Sequence, residues 1–180
     1  IVGREISTGN WWLARSTGSG FIVVNNGNPV LTNWTADQLT NLKFQIVLTD
    51  LDADGMDELV CYRPEVGSVS WCDWNGTIFT KRGTLTTNWG VSSDPTRYRL
   101  LSRDLNKDGK NDFVLFKADG GNWYGGISTG TSITNRSTWR TNWGNSTDQN
   151  RYRPYLYDVG VSGNYYKVPA EAYEELERAM

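Results

Sequence analysis

The chain has 180 residues, with 18 Lys and Arg against 20 Asp and Glu, a net charge of −2 and a pI near 5.2. It contains no histidine, which removes the commonest general base and every Ser-His or Cys-His pair; its mild acidity argues against nucleic acid, and no apolar run reaches membrane-spanning length. Nineteen Gly, nine Trp and a mean hydropathy of −0.54 suit many short strands joined by polar turns, in a chain long enough to bury a sizeable core.

In chain order, Ile1-Val2-Gly3-Arg4 opens as a strand, and Asn10-Trp11-Trp12 followed by Ser16-Thr17-Gly18 reads as a strand and a turn. Thr32-Asn33-Trp34 and Lys43-Phe44-Gln45 then precede Asp50-Leu51-Asp52-Ala53-Asp54-Gly55-Met56-Asp57-Glu58. Oxygen-bearing side chains at positions 1, 3, 5 and 9 of that segment, with Gly at position 6 for a left-handed turn, match the needs of a hard divalent cation. Without His or Cys among the donors, the set points to Ca²⁺ or Mg²⁺ rather than zinc. Residues 59–63 and 69–74, separated by a turn at 64–67, read as a hairpin.

The pattern returns with Thr87-Asn88-Trp89, and 54 residues on for Arg97-Tyr98-Arg99 and the loop Asp104-Leu105-Asn106-Lys107-Asp108-Gly109-Lys110-Asn111-Asp112. A second hairpin, 113–117 and 123–127 around Asp119-Gly120-Gly121, follows, and Asn122-Trp123-Tyr124 with Ser128-Thr129-Gly130 matches the N-terminal strand and turn. A third passage starts at Thr141-Asn142-Trp143 and Arg151-Tyr152-Arg153 and reaches Asp158, where Gly163 is kept but the other carboxylates are lost; that loop is expected to hold no metal or to bind one very weakly. Residues 169–180 are the one helical stretch, with Ala172, Tyr173, Leu176 and Met180 on one stripe. Because Ile1-Val2-Gly3-Arg4 aligns with a strand that follows a loop, the first copy's own loop is expected upstream.

An EF-hand does not fit. Its twelfth position is a bidentate Glu and its flanks are helices, whereas here position 12 is Cys61 or Leu115 and strands follow. Each unit offers about four short strands, the content of one β-propeller blade. The expected fold is all-β, about three four-stranded blade-like units over residues 1–166, with a helical tail at 167–180.

The motif D-x-D-x-D-G-x-x-E/D opening a strand, followed by a Trp hairpin and a Ser-Thr-Gly turn, resembles the FG-GAP (VCBS-type) repeat. Integrin alpha subunits and many secreted bacterial proteins carry such repeats. The resemblance implies a β-propeller with calcium ions in its loops, and a role in adhesion or ligand binding rather than catalysis. Three units fall short of the four to eight that close a propeller. The edges are therefore expected to be covered by missing blades of a longer parent chain, by a second copy in a homo-oligomer, or by the tail.

The candidate metal ligands are Asp50, Asp52, Asp54, Glu58 and the Met56 carbonyl in the first loop, and Asp104, Asn106, Asp108, Asp112 and the Lys110 carbonyl in the second. The second has one carboxylate fewer, so its Ca²⁺ is expected to be held more weakly. The ion's role is expected to be structural, since neither loop has a nucleophile beside it. Trp34, Trp89 and Trp143 recur with the period and are expected to pack between units, while Trp12, Trp74 and Trp123 depart from it and are candidate platforms for a sugar ring. The arginines of 97–99 and 151–153 are expected either to follow strand alternation or to reach back to the loop carboxylates. Cys61 and Cys72 fall opposite each other if the turn centres on Val66-Gly67, giving either a cross-strand disulfide or two buried thiols. The reading that follows is a calcium-stabilised, non-enzymatic binding or adhesion module of a secreted or cell-surface protein, taking a glycan or protein ligand. The alternative is an accessory scaffold segment of a larger enzyme or toxin.

Overall fold

The structure, a computed structural model, describes residues 1–34, 44–146 and 154–156. The loop at Asp158 and the helical tail lie outside the described residues. Three antiparallel sheets follow one another along the chain. The first holds β1 (Val2–Glu5), β2 (Asn10–Ser16) and β3 (Phe21–Val23). The second holds β4 (Gln45–Thr49), β5 (Glu58–Arg63), β6 (Ser68–Trp74) and β7 (Phe79–Thr86). The third holds β8 (Tyr98–Arg103), β9 (Asp112–Lys117), β10 (Asn122–Ser128) and β11 (Ile133–Arg140). Each is a meander with its strands side by side in chain order.

The second strand of each full sheet shows why the sheets stack. Leu59, Val60, Cys61 and Tyr62 of β5 are all buried, as are Phe113, Val114, Leu115 and Phe116 of β9. Strands apolar on both faces need cover on both sides. One core joins the first two sheets through Trp11, Leu31, Leu59, Cys72 and Phe79. A second joins the second and third through Val60, Tyr62, Val69, Trp71, Phe113 and Leu115. At about 25 cal/mol per Å² of apolar surface, these inter-sheet cores are the main favourable term in the fold. β7 and β11 are exposed after their first residue apart from Leu85 and a half-buried Thr86, as fits the solvated outer edge of each sheet.

β4 and β8 meet through side chains rather than through a ladder. Gln45 Nε2 donates to the Tyr98 carbonyl at 2.5 Å while its Oε1 accepts from the Leu100 N–H at 2.8 Å. Thr49 Oγ1 and Ser102 Oγ lie 2.7 Å apart.

The Thr-Asn-Trp repeat is a backbone lock. Asn33, Asn88 and Asn142 take φ of 51°, 56° and 57°, the left-handed region that Asn tolerates better than most residues. The Trp N–H that follows donates to the carbonyl of Gly9, Gly67 or Gly121 at 3.0, 2.9 and 3.0 Å. Those glycines sit in hairpin turns at positive φ. A Cβ on Gly67 would lie 2.6 Å from the Trp89 nitrogen, and one on Gly121 would lie 2.7 Å from that of Trp143.

The hairpin register corrects the expected cysteine pairing. The turn closes from the Gly67 N–H to the Pro64 carbonyl, which sets Arg63 opposite Ser68. Cys61 therefore faces Ser70, and Cys72 faces Leu59. Both cysteines are buried free thiols, and burial pushes each up to about 12.

Two glycines at positive φ separate conformational cost from close approach. Gly76, at φ 89°, has nothing within 4 Å of an added Cβ, unlike Gly67. Gly76→Ala is expected to cost about 1 kcal/mol, and Gly67→Ala at least twice that, because it also breaks the lock to Trp89. Urea denaturation of the two variants checks this, and equal losses would mean that the lock carries no weight.

Candidate metal site

The two acidic loops share one hydrogen-bonded skeleton. Position 1 accepts from the N–H groups of positions 4 and 6: Ala53 and Gly55 on Asp50 at 2.8 and 3.0 Å, Lys107 and Gly109 on Asp104 at 2.6 and 3.0 Å. Position 3 accepts from position 5, with Asp54 N–H on Asp52 at 3.2 Å and Asp108 N–H on Asn106 at 2.9 Å. Position 5 accepts from position 7, with Met56 N–H on Asp54 at 2.8 Å and Lys110 N–H on Asp108 at 2.9 Å. Positive φ at Ala53 and Gly55, and at Lys107 and Gly109, curls each loop around its own carboxylates. These are Asx-type turns in which the side chain takes the place of a backbone carbonyl.

Position 9 differs in kind from the rest. Glu58 and Asp112 are fully buried at the first residue of β5 and β9. Each ties its loop to its sheet by accepting the N–H of position 2, Leu51 at 2.7 Å and Leu105 at 3.1 Å. Asp112 uses its other oxygen to accept the Ser128 N–H at 2.8 Å. Among the described residues Glu58 Oε1 is buried with no hydrogen-bond partner. Leaving such an atom unmatched costs on the order of 1–3 kcal/mol, more for a charged group.

Glu58, Asp50 and Asp52 each present a carboxylate oxygen within 4.8 Å of the others. Asp54 and Met56 lie on the same loop but outside that trio. Among the described residues the second loop forms no such group: Asp112 is turned into the sheet, and Asn106 Nδ2 donates to Asp108 Oδ2 at 3.1 Å. A trio of hard oxygens with one orphaned buried acceptor fits Ca²⁺ or Mg²⁺.

The electrostatics agree. Burial, with further repulsion from Asp52, Asp54 and Asp50, raises the Glu58 carboxyl to about 7 against the stabilising Leu51 N–H. Burial likewise raises Asp112 despite its two amide donors. The amide of Lys110 and the side chain of Asn106 hold Asp108 below the ordinary range.

The first loop also touches the loops that flank the third sheet, before β9 and after β10. The Asn111 N–H donates to the Asp50 carbonyl at 2.9 Å, and a Cβ on Gly130 would lie 3.6 Å from that of Asp52. An ion here would brace the junction between two sheets.

The tryptophans divide differently from expectation. Trp89 is buried beneath the third sheet, but Trp143, its repeat mate, is 60 % exposed, as Trp139 is at 47 %. Trp12 is half-buried opposite Gly3. Trp74 packs at 4.7 Å on Phe79. Trp123 lies between Phe116 at 4.5 Å and Trp143 at 5.2 Å, with its Nε1 donating to the Trp143 carbonyl at 3.0 Å. Arg97 pairs with Asp119 rather than reaching a loop, through contacts of 2.9 and 2.6 Å. Neither the models of known protein families nor the curated proteins give a match to this chain.

Glu58 predicts an inverted pH dependence for the metal-free protein. The folded state keeps the proton up to about pH 7, and the unfolded chain releases it near 4.5. Stability from this group is full below about 4.5 and falls as pH rises towards 7, by on the order of 1–3 kcal/mol. Unfolding in chelator at pH 5 and pH 8 should show that loss in the parent and little of it in Glu58→Gln. A slope that survives the substitution would assign it to another group.

Proposed function

We propose that this chain is a calcium-stabilised, non-enzymatic binding module, built from consecutive FG-GAP-like propeller blades and working in adhesion outside the cell. The observation that carries the reading is Glu58 Oε1, an acidic oxygen buried without a partner beside Asp50 and Asp52. A cation in that position would neutralise the trio and give the orphaned oxygen a ligand bond. The stacked four-stranded meanders, with β4 beside β8, support reading the sheets as neighbouring blades. The ligand is a glycan or a protein met by half-exposed indoles, with Trp12, Trp74 and Trp123 spread over the three sheets. One indole contributes little, so each contact is weak, roughly millimolar to micromolar, and useful binding needs several together.

Calorimetry on chelated protein should find two Ca²⁺ ions, the first loop binding more tightly than the second. Calcium at 100 times its dissociation constant should stabilise the fold by about 2.7 kcal/mol, and Asp52→Asn should weaken only the tighter site. Absence of any calcium-dependent shift in melting would end the metal reading. A glycan array followed by tryptophan fluorescence tests the ligand, and a blank array with calcium binding intact would leave a scaffold role.

A further inference from the structure

Strand register decides which side chains share a face. In the first sheet Val2, Trp11 and Leu13 pack towards the second. Ile1 exchanges backbone hydrogen bonds with Ala14, Gly3 lies opposite Trp12, and Val23 and Phe21 lie opposite Ala14 and Ser16. Ile1, Gly3, Trp12, Ala14, Phe21 and Val23 therefore share the other face, where Ile1 is 70 % exposed, Phe21 58 % and Val23 55 %. The third sheet turns Phe113, Leu115 and Ile133 towards the second. On its opposite face Trp123 packs between Phe116 and Trp143, and the Trp139 ring lies over Gly125.

The same positions are buried wherever a neighbouring sheet is present. Ile1 and Phe21 are the repeat mates of Phe113 and Ile133 in the third sheet and of Leu59 and Phe79 in the second, and all four of those are buried. Trp139 and Trp143 are the mates of Leu85 and Trp89, which lie in the core between the second and third sheets. The two exposed faces are thus the two sides of an interface that the chain already makes internally. Their shapes are compatible as well. A Cβ on Gly126 would lie 3.4 Å from the Trp89 ring, so Trp89 stands on the third sheet at a residue with no side chain. The corresponding pair is Trp143 and Ala14, where the side chain is still small. Where the third sheet has Leu115 the first has Gly3, with nothing within 4 Å of an added Cβ. That leaves room for the indole of Trp139 in place of Leu85.

We propose that these faces are the two halves of one interface between copies of this chain. The third sheet of one copy packs on the outer face of the first sheet of the next, with Trp143 over Ala14 and Trp139 beside Gly3 and Phe21. A second copy matches both exposed faces at once, whereas an unrelated partner would match only one. The contact is heterologous, so copies join head to tail and stop only when a ring closes. Burying these indoles and Phe21 removes from water the large apolar groups that the sheets leave uncovered at either end. The inference does not depend on the cation. It takes Trp12 and Trp123 into the interface and leaves Trp74 as the indole open to a ligand.

Light scattering on the 180-residue chain should give a multiple of 20.3 kDa. Phe21→Asp and Trp139→Asp each spoil one face, and each should weaken association by roughly 10-fold or more; Val23→Asp, on the same face as Phe21, repeats the first test at a second position. Ile22 separates this interface from general stickiness. It is 55 % exposed on the same strand, but it lies opposite Arg15 and so on the other face, and Ile22→Asp should associate like the parent. Mixing supplies the second arm. Phe21→Asp and Trp139→Asp chains each keep the face that the other has lost, so they should bind each other more tightly than either binds itself. A parent that stays monomeric at every concentration, an equal loss in Ile22→Asp, or a mixture no more associated than its separate components would each overturn the proposal.

Discussion

The interaction on which the rest depends is the acceptance of a loop N–H by a buried acid at the start of a strand, Leu51 on Glu58 and Leu105 on Asp112. It fixes where the loop stops and the strand begins, and so fixes the phase of the alternation that follows. From that point one set of residues faces the preceding sheet and the other faces the following one. Leu59 enters one core and Val60 the other. A one-residue slip would exchange the two sets, moving every side chain to the opposite face.

The same interaction sets the electrostatics. A carboxylate tied to a backbone N–H inside a sheet cannot turn outward to water, so its desolvation must be met locally. Asp112 meets it with a second amide, that of Ser128. Glu58 meets it with one amide only, and the difference appears as the raised carboxyl and the orphaned oxygen. Two loops of nearly identical hydrogen-bonded skeleton thus differ in whether the buried acid's second oxygen is matched, and the unmatched Glu58 Oε1 is where a cation would have most to contribute.

Much of this was legible from spacing. The Asp-x-Asp-x-Asp-Gly loops, the hairpins after them and the Thr-Asn-Trp marks are local features, and local features survive folding unchanged. Burial was less legible, because it depends on what stacks above a residue. Glu58 and Asp112 look like exposed ligands by position, and the only hint of their burial is that each begins an unbroken apolar run. The cysteine register was misread by two residues because Pro64 to Gly67 allows more than one closure, and only the Gly67 to Pro64 hydrogen bond selects between them. Trp143 matches Trp89 in sequence, yet its exposure is set by whether another sheet lies beyond it.

The units are similar but not interchangeable, and this limits what each face can accept. In the second sheet Trp71 stands on the central strand and Leu85 on the edge strand, whereas in the third Gly125 takes the place of Trp71 and Trp139 that of Leu85. The Trp139 ring lies so close over Gly125 that an added Cβ would fall 1.8 Å from it. The large side chain has moved from one strand to its neighbour while still covering the same patch, a swap that keeps volume and changes shape. Trp71 is covered by the third sheet, but nearly half of Trp139 stays exposed. A sheet that packs against the third must therefore accommodate an indole projecting from the edge strand, whereas the third sheet itself is shaped to one lying over the centre. Sequence similarity between repeats does not by itself make one face fit another; the position of a single ring decides which neighbour a sheet can take.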